Sequence, residues 1–338
     1  YDVKSTVLRL TNTYGPRMRI KDARQTFLGV WIRDLLLGNQ FQVWGGAQIR
    51  DYTYGARLGF SIFSPSPPTT KYLNKHLIPL YDKPMVYYSL SILLLSGQKN
   101  ITIVCNKEEL DVFQNLLGSG DEFGVTFNYA VQDSPLGIPQ AIDLALQATP
   151  YDKSLTVLGD NFIFGEKFFT KLETIFNETD SVSIFSQYVK NPEGFGIVEV
   201  DEKNNVLSLV EKPKNFISNK AVIGLYIFNK NFVNNFSNTS KSDRDEYEIL
   251  DVVKNYGLKN INHQHIGRGT AWFDMGTVSA FYKCSSFVKT LQDEQGLLVC
   301  SPHEIAFRNG WINSNQLSDY LDSIKGSEYS YNLQYLLS

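Results

Sequence analysis

Between residues 86 and 160 the apolar pattern switches back and forth between helix and strand, and this alternation most limits what the chain can fold into. Residues 86–96 are almost wholly apolar and stop at Gly97, which predicts a buried helix with a glycine C-cap. Residues 101–104 read as a strand. Asn106, with Glu109 three positions on, is a cap-like start for a helix running through Leu117. Residues 127–131 read as the next strand, and Pro139 suits the first turn of the helix after it. Residues 155–158 form a further strand that ends at Gly159-Asp160-Asn161. Strand, helix, strand order argues for an α/β sheet with helices on its faces. A carboxylate at the carboxyl end of a central strand, here Asp160, lies where such sheets bind ligands, and Gly159 is expected to leave room for a phosphate. Residues 195–200 and 206–210 flank the polar stretch 201–205 as a hairpin, 221–226 read as a buried strand, and the tail from about residue 280 is helical.

At 338 residues the chain is long enough for one large or two ordinary domains. Its 43% hydrophobic and 20% charged content describes a soluble globular protein with a sizeable core. A net charge of −3 leaves no electrostatic footprint for nucleic acid or membrane. Cys105, Cys284 and Cys300 are far apart, odd in number and without zinc spacing, which fits a reducing, cytoplasmic setting. No apolar run approaches the length of a membrane span, and no signal-peptide pattern is present.

Residues 68–85, P-T-T-K-Y-L-N-K-H-L-I-P-L-Y-D-K-P-M, concentrate the basic chemistry, with Lys71, Lys75 and Lys83 spread through them. Lys75 stands just before Leu77-Ile78-Pro79-Leu80, a run that reads as a buried connection into the next helix. A lysine held there is positioned for a phosphate, or else belongs to a solvated basic loop. His263 and His265 alternate on a strand with no partner ligands in sight, which argues against a metal role.

The segment K-H-L-I-P-L-Y-D-K-P-M resembles the signature of the sugar-phosphate nucleotidyltransferases, in the K-x-L-x-P-I-Y-D-K-P-M form of the thymidylyltransferase branch. Further motifs follow in the family's order. Residues 132–141 resemble Q-x-x-P-x-G-L-A-x-A, 158–161 match L-G-D-N, and 211–213 read E-K-P. Residues 244–251 resemble R-G-E-x-E-I-T-D, and 267–277 resemble G-R-G-x-A-W-L-D-T-G-T. Residues 303–312 look like the tail of the longer thymidylyltransferases. The resemblance implies a Rossmann-like three-layer α/β sandwich with a mixed central sheet and C-terminal helices. It implies nucleotidyl transfer from dTTP to glucose 1-phosphate, giving dTDP-glucose and pyrophosphate with Mg²⁺, by a homo-oligomer, a tetramer in the family. Carried over residue by residue, Lys75, Arg57 and Asp160 would be catalytic. Gln132, Gly137 and Asp160 would bind the nucleotide, Asp160 and Asp274 the metal. Gly196, Glu211, Lys212, Val222 and Arg244 would hold the sugar phosphate. Leu136, Pro139, Asp245 and Met275 depart from the family pattern, and a uridylyl- or cytidylyltransferase of the same family is an alternative.

Upstream the resemblance changes. R-L-T-N-T-Y-G-P (9–16) and G-A-Q-I-R-D-Y-T-Y (46–54) resemble the substrate-side half of NAD-dependent sugar epimerases and dehydratases, where Asn12 and Arg50 would touch a nucleotide-sugar. The glycine fingerprint and the Tyr-x-x-x-Lys pair of those enzymes do not occur in residues 1–54, so this piece is expected to be a remnant rather than a working dehydrogenase. At the junction, 55–67, the nucleotidyltransferases have a strand running into a G-G-x-G-T-R-L loop whose backbone N–H groups cradle the triphosphate. Here only Gly55-Ala56-Arg57-Leu58 resembles it, while a gapless count back from Lys75 puts residues 60–65 in its place. Either Arg57 is the loop arginine followed by an insertion, or the loop is lost. Loss is the expectation, because Phe and Ile block close backbone approach and proline removes a donor. A catalytically dead nucleotide-sugar-binding fusion is therefore the second reading. The expected organisation is 1–54, the junction 55–67, and a nucleotidyltransferase domain over 68–338.

Overall fold

The computed structural model describes residues 74–134, 136–243 and 245–338. Asn74 accepts a 2.7 Å hydrogen bond from the His76 amide and so opens a 3₁₀ turn, Lys75–Leu77. The strand pair β1 (Pro79–Leu80) and β2 (Lys83–Pro84) follows, turning through Tyr81 at φ 65°. The apolar run after it forms α1 (Met85–Leu95), buried on almost every side. Gly97, at φ 74°, ends it as expected: its amide donates to the Leu94 carbonyl, and that of Gln98 to the Leu93 carbonyl. Next come β3 (Asn100–Cys105), α2 (Leu110–Leu117), β4 (Thr126–Val131), α3 (Ile138–Ala148), β5 (Lys153–Val157) and β6 (Asn161–Phe164). Then follow α4 (Glu166–Glu178), β7 (Ser183–Tyr188), β8 (Gly196–Val200), β9 (Val206–Glu211), β10 (Lys220–Asn229) and α5 (Phe232–Ser237). The chain closes with α6 (Ile249–Lys254), β11 (Asn262–His265), β12 (Ala271–Asp274), α7 (Val278–Gln295), α8 (Pro302–Arg308), α9 (Ser314–Ser323) and α10 (Glu328–Leu333). Pro139 sits in the first turn of α3, as its fixed φ predicts. Asn106 does not cap α2. The chain first passes through a 3₁₀ turn, Lys107–Glu109, so Glu109 takes the cap position and Asn106 makes no side-chain capping bond.

The sheet is mixed, as the resemblance implies. β10 pairs antiparallel with β7, with β8 at its start and with β5 at its end, while β11 runs parallel to β7. β10 is buried at every position from Ala221 to Phe228, which its place between neighbours and layers requires. Its side chains divide by the strand period of two. Val222, Tyr226 and Phe228 pack with Val182, Ile184, Leu250 and Val253 on one face. Ile223, Leu225 and Ile227 pack with Ile92, Ile163 and Leu172 on the other. The C-terminal helices join α1 and β3 in a further core that includes Leu90, Leu94, Phe113, Ile305, Leu317 and Leu333. β3 and β4 form a parallel pair of their own, and β12 lies antiparallel on β6. No helix among the described residues is long and apolar enough to cross a membrane.

The three lysines of 68–85 have separate fates. Lys71 lies outside the described residues and Lys75 is partly exposed. Lys83 is only 2% exposed, with Nζ 2.7 Å from Asp82 Oδ1, so it is an internal ion pair rather than a phosphate ligand.

Candidate active site

The ends of β6, β8, β9 and β12 surround a cavity of about 220 Å³ that holds Asp160, Gly196, Glu211, Lys212, Val222 and Asp274. The pairing of β6 with β12 sets Asp274 opposite Asn161, and this brings the two aspartates together. The Met275 amide donates to the Asp160 carbonyl at 2.9 Å and ties the two strand ends. Lys75 reaches in from its 3₁₀ turn, Nζ 2.5 Å from Asp160 Oδ2. Burial works against the charge on Asp160, but the Lys75 ammonium and its hydrogen bond prevail and hold the carboxyl below the usual carboxylate range. Asp274 is pushed the other way, by burial first and then by the Asp160 charge. Two carboxylates and two lysines converging on one cavity suit a phosphorylated ligand and a divalent cation.

On the opposite wall Gly196 pairs with Glu211 across the β8–β9 hairpin. A Cβ at residue 196 would come within 2.6 Å of Leu250 and 2.9 Å of Glu211 Oε2, so the absence of a side chain is what lets the carboxylate approach. Lys212 follows at φ 43°, its amide donating to the Phe195 carbonyl at 3.0 Å. The sequence reading did not single out Trp272, Asn161 or Phe195. Trp272 Nε1 donates to Asn161 Oδ1 at 2.7 Å, and the Phe195 ring meets the indole edge-on at 5.6 Å. A signal was present: Trp272 stands two positions before Asp274 and so shares its face of β12.

Gln132 and Gly137 line a second cavity of about 450 Å³, which adjoins the first through Ile138 and Leu158. Gln132 Nε2 donates to Gln140 Oε1 at 2.7 Å and to the Gly137 carbonyl at 3.2 Å. Gly137, at φ 106°, packs so closely that a Cβ would lie 2.3 Å from the Tyr247 carbonyl oxygen. Two expectations are corrected or left aside. The room at Gly159 is taken by the ring of His76, 2.9 Å from where a Cβ would stand. Burial, with Lys75 beside it, lowers the pKa of that imidazole to about 4, so it is neutral near neutral pH. Arg57 and Arg244 lie outside the described residues.

The nucleotidyl transferase family model matches residues 67–290. The chain belongs to that family. The glucose-1-phosphate thymidylyltransferase of Neisseria meningitidis is 38% identical over 272 residues, 80% of this chain and 93% of that protein. The enzyme of the same name from Mycolicibacterium smegmatis is 37% identical over 271 residues, 80% of this chain and 94% of its own length. A solved structure described as a glucose-1-phosphate thymidylyltransferase of Bacillus anthracis, in complex with sucrose, superposes with a TM-score of 0.60 at 30% identity, over 66% of this chain and 89% of that one. A UDP-glucose pyrophosphorylase in complex with UDP-glucose superposes with a TM-score of 0.59 at 21% identity, over 69% of this chain and 95% of that one, and shares the fold. Residues 1–56 match a different model, the NAD dependent epimerase/dehydratase family, in line with the upstream resemblance. As a nucleotidyl transferase the chain needs a nucleotide cradle beside an acceptor site, and the two adjoining cavities supply space for both.

Proposed function

We propose that residues 68–338 transfer a thymidylyl group from dTTP to glucose 1-phosphate, releasing pyrophosphate and leaving dTDP-glucose. The observation that carries this reading is the convergence of Asp160, Asp274 and Lys212 on one cavity, with Lys75 paired to Asp160 and the Gln132 and Gly137 cavity alongside. A phosphate oxygen of the sugar attacks the α-phosphorus of dTTP. The bond to the bridging oxygen breaks as the new P–O bond forms, and its electron pair leaves with pyrophosphate. No protein nucleophile is required, so catalysis is positioning plus charge stabilisation. Gln132 and Gly137 face the base. Gly196, Glu211 and Val222 shape the sugar subsite, while Lys212, together with Arg244, takes the sugar phosphate. Lys75, and Arg57 by resemblance, offset charge on the transferring phosphate.

The pair Asp160 and Asp274 fits Mg²⁺. The ion commonly takes one or two protein carboxylates and completes its shell with substrate phosphates and water. The upward displacement of Asp274 by its neighbour is the strain a bound cation relieves. When bound, Mg²⁺ supplies charge neutralisation and orientation at the phosphates. The helices α7 to α10 are the proposed source of contacts in a homo-oligomer.

The test is a panel of dTTP, UTP and CTP with glucose 1-phosphate and Mg²⁺, read as pyrophosphate release. The expected result is turnover with dTTP ahead of the others. Preference for UTP or CTP would reassign the base. Silence with every triphosphate, in a protein that still binds dTDP-glucose, would leave a nucleotide-sugar binder.

A further inference from the structure

The larger cavity has the shape of a missing strand. It is bordered on one side by Thr102 and Val104 of β3 and on the other by Thr156 and Val157 of β5. Thr156, Val157, Leu158 and Gly159 border it in unbroken succession. Alternate side chains of a strand point to opposite faces, so a consecutive run borders a cavity with the strand's edge, not with one face. Among the described residues β3 pairs with β4 alone and β5 with β10 alone, so each has one edge of backbone N–H and C=O groups without a ladder partner. Burial agrees. All five residues of β5 are only half-buried, as are Thr102, Ile103 and Val104 of β3, whereas β10 is buried at eight successive positions.

The floor and roof are apolar. Ile138, Ala141, Ile142, Ala145 and Leu146 present one stripe of α3 from the sheet face that holds Val222 and Phe228. Leu93 enters from α1, whose Ile92 and Leu95 pack on the face that holds Ile223 and Leu225. Glu246 is the one charged residue among those bordering the cavity. Two unpaired strand edges, with apolar helices above and below, define a slot for an extended segment that is itself apolar on both faces.

We infer that this slot takes up an added β-strand: an uncharged extended peptide segment, apolar on both faces, that pairs with β3 along one edge and with β5 along the other. Its consequence for catalysis rests on the proposed reaction. β5 leads through Gly159 to Asp160, and Gln132 and Gly137 border the same cavity. A strand seated here would therefore join the two halves of the sheet and bring the backbone that follows it to the phosphate-binding side chains.

The test is backbone hydrogen exchange on the full chain, with and without a synthetic peptide of about six alternating valines and isoleucines, the common strand length, carrying a lysine tag for solubility. Amides of residues 101–105 and 153–157 are expected to slow by about tenfold or more at saturating peptide, with β9 and β11 unchanged. A matched peptide with proline at alternate positions, which cannot donate, should give no protection. Ala145→Trp, which fills the slot, should remove the effect of the first peptide while the melting temperature stays near that of the parent. If that variant fails to fold, the comparison of the two peptides on the parent chain decides alone. Unchanged exchange with the first peptide would overturn the inference. So would slow exchange at both edges before any peptide is added, since the edges would then already be paired. Because this readout does not involve turnover, failure of the triphosphate panel with protection intact would sink the reaction and leave strand uptake standing.

Discussion

Asp160 and Asp274 lie side by side, yet their carboxyls move in opposite directions, and Lys75 is the reason. Its ammonium is bonded to Asp160 and holds that group ionised, and the ionised Asp160, added to burial, raises its neighbour. Asp160→Asn and Asp274→Asn are each expected to cut Mg²⁺-dependent pyrophosphate release by about 10²–10³-fold or more, with far-ultraviolet circular dichroism unchanged. Near-normal turnover in either variant removes that residue from the site. A separate measurement tests the coupling. In Asp160→Asn the carboxyl of Asp274, followed by ¹³C NMR, should titrate at lower pH than in the parent, because one of the two causes that raise it is gone. It should stay above the ordinary carboxylate range, because burial remains. Most of these residues were legible in the sequence, since Lys75, Asp160, Glu211, Lys212 and Asp274 sit in contiguous motifs. Trp272 and Asn161 were not, because their hydrogen bond exists only once β6 pairs with β12. The space at Gly159 was misjudged for the same reason: the His76 ring that fills it arrives from a distant segment.

At the scale of elements, the β1–β2 pair shows how one motif mixes two tasks. Lys75 and Lys83 belong to one run of sequence, but only Lys75 faces a cavity residue. The Lys83 ammonium lies 4.6 Å from the Tyr88 ring centre and 5.4 Å from that of Tyr329. Asp82 also accepts hydrogen bonds from Tyr88 Oη at 3.2 Å and from Gln292 Nε2 of α7 at 3.0 Å. The pair therefore pins the C-terminal helices to the start of the domain. Burial lowers the pKa of Lys83, with Asp82 opposing, so the ion pair is sustained only by its partner. Lys83→Met strands a buried carboxylate and is expected to cost about 3–5 kcal/mol in urea unfolding. Adding Asp82→Asn should return a large part of that loss, since the charge left behind is the main penalty. Full loss in both variants would show that packing, not charge, is at stake. Periodicity gave the helices and strands to within a few residues, and even the glycine stop of α1. Strand edges were not legible, because β3 and β5 read as ordinary interior strands, and which edges stay open depends on the whole sheet.

Across the whole molecule, three buried histidines share one property that the sequence did not show. Burial lowers His76 to about 4, His263 to about 4 and His303 to about 3, so each is neutral in the folded protein. In the unfolded chain a histidine titrates near 6.5. Between those limits the unfolded state binds protons that the folded state refuses. The stabilisation is therefore complete above about pH 6.5 and is lost as the pH falls toward 4, by up to ~1.4 kcal/mol per pH unit for each ring. Asp160 adds to the loss at still lower pH, because its folded pKa is depressed, while Asp274 opposes it. His303 separates this effect from packing. Its ring stacks on Tyr320 at 3.6 Å and lies 4.5 Å from Phe123, contacts that a phenylalanine can keep. Its Nε2 is buried without a hydrogen-bond partner, and the Tyr329 hydroxyl bonded to Nδ1 at 3.2 Å retains Ser301 at 2.7 Å. His303→Phe should therefore change stability little at pH 7.5 and lose less than the parent when the melt is repeated at pH 5. Parallel loss in the two proteins would mean that His303 already carries its proton when folded, and the acid sensitivity would then fall to His76 and His263.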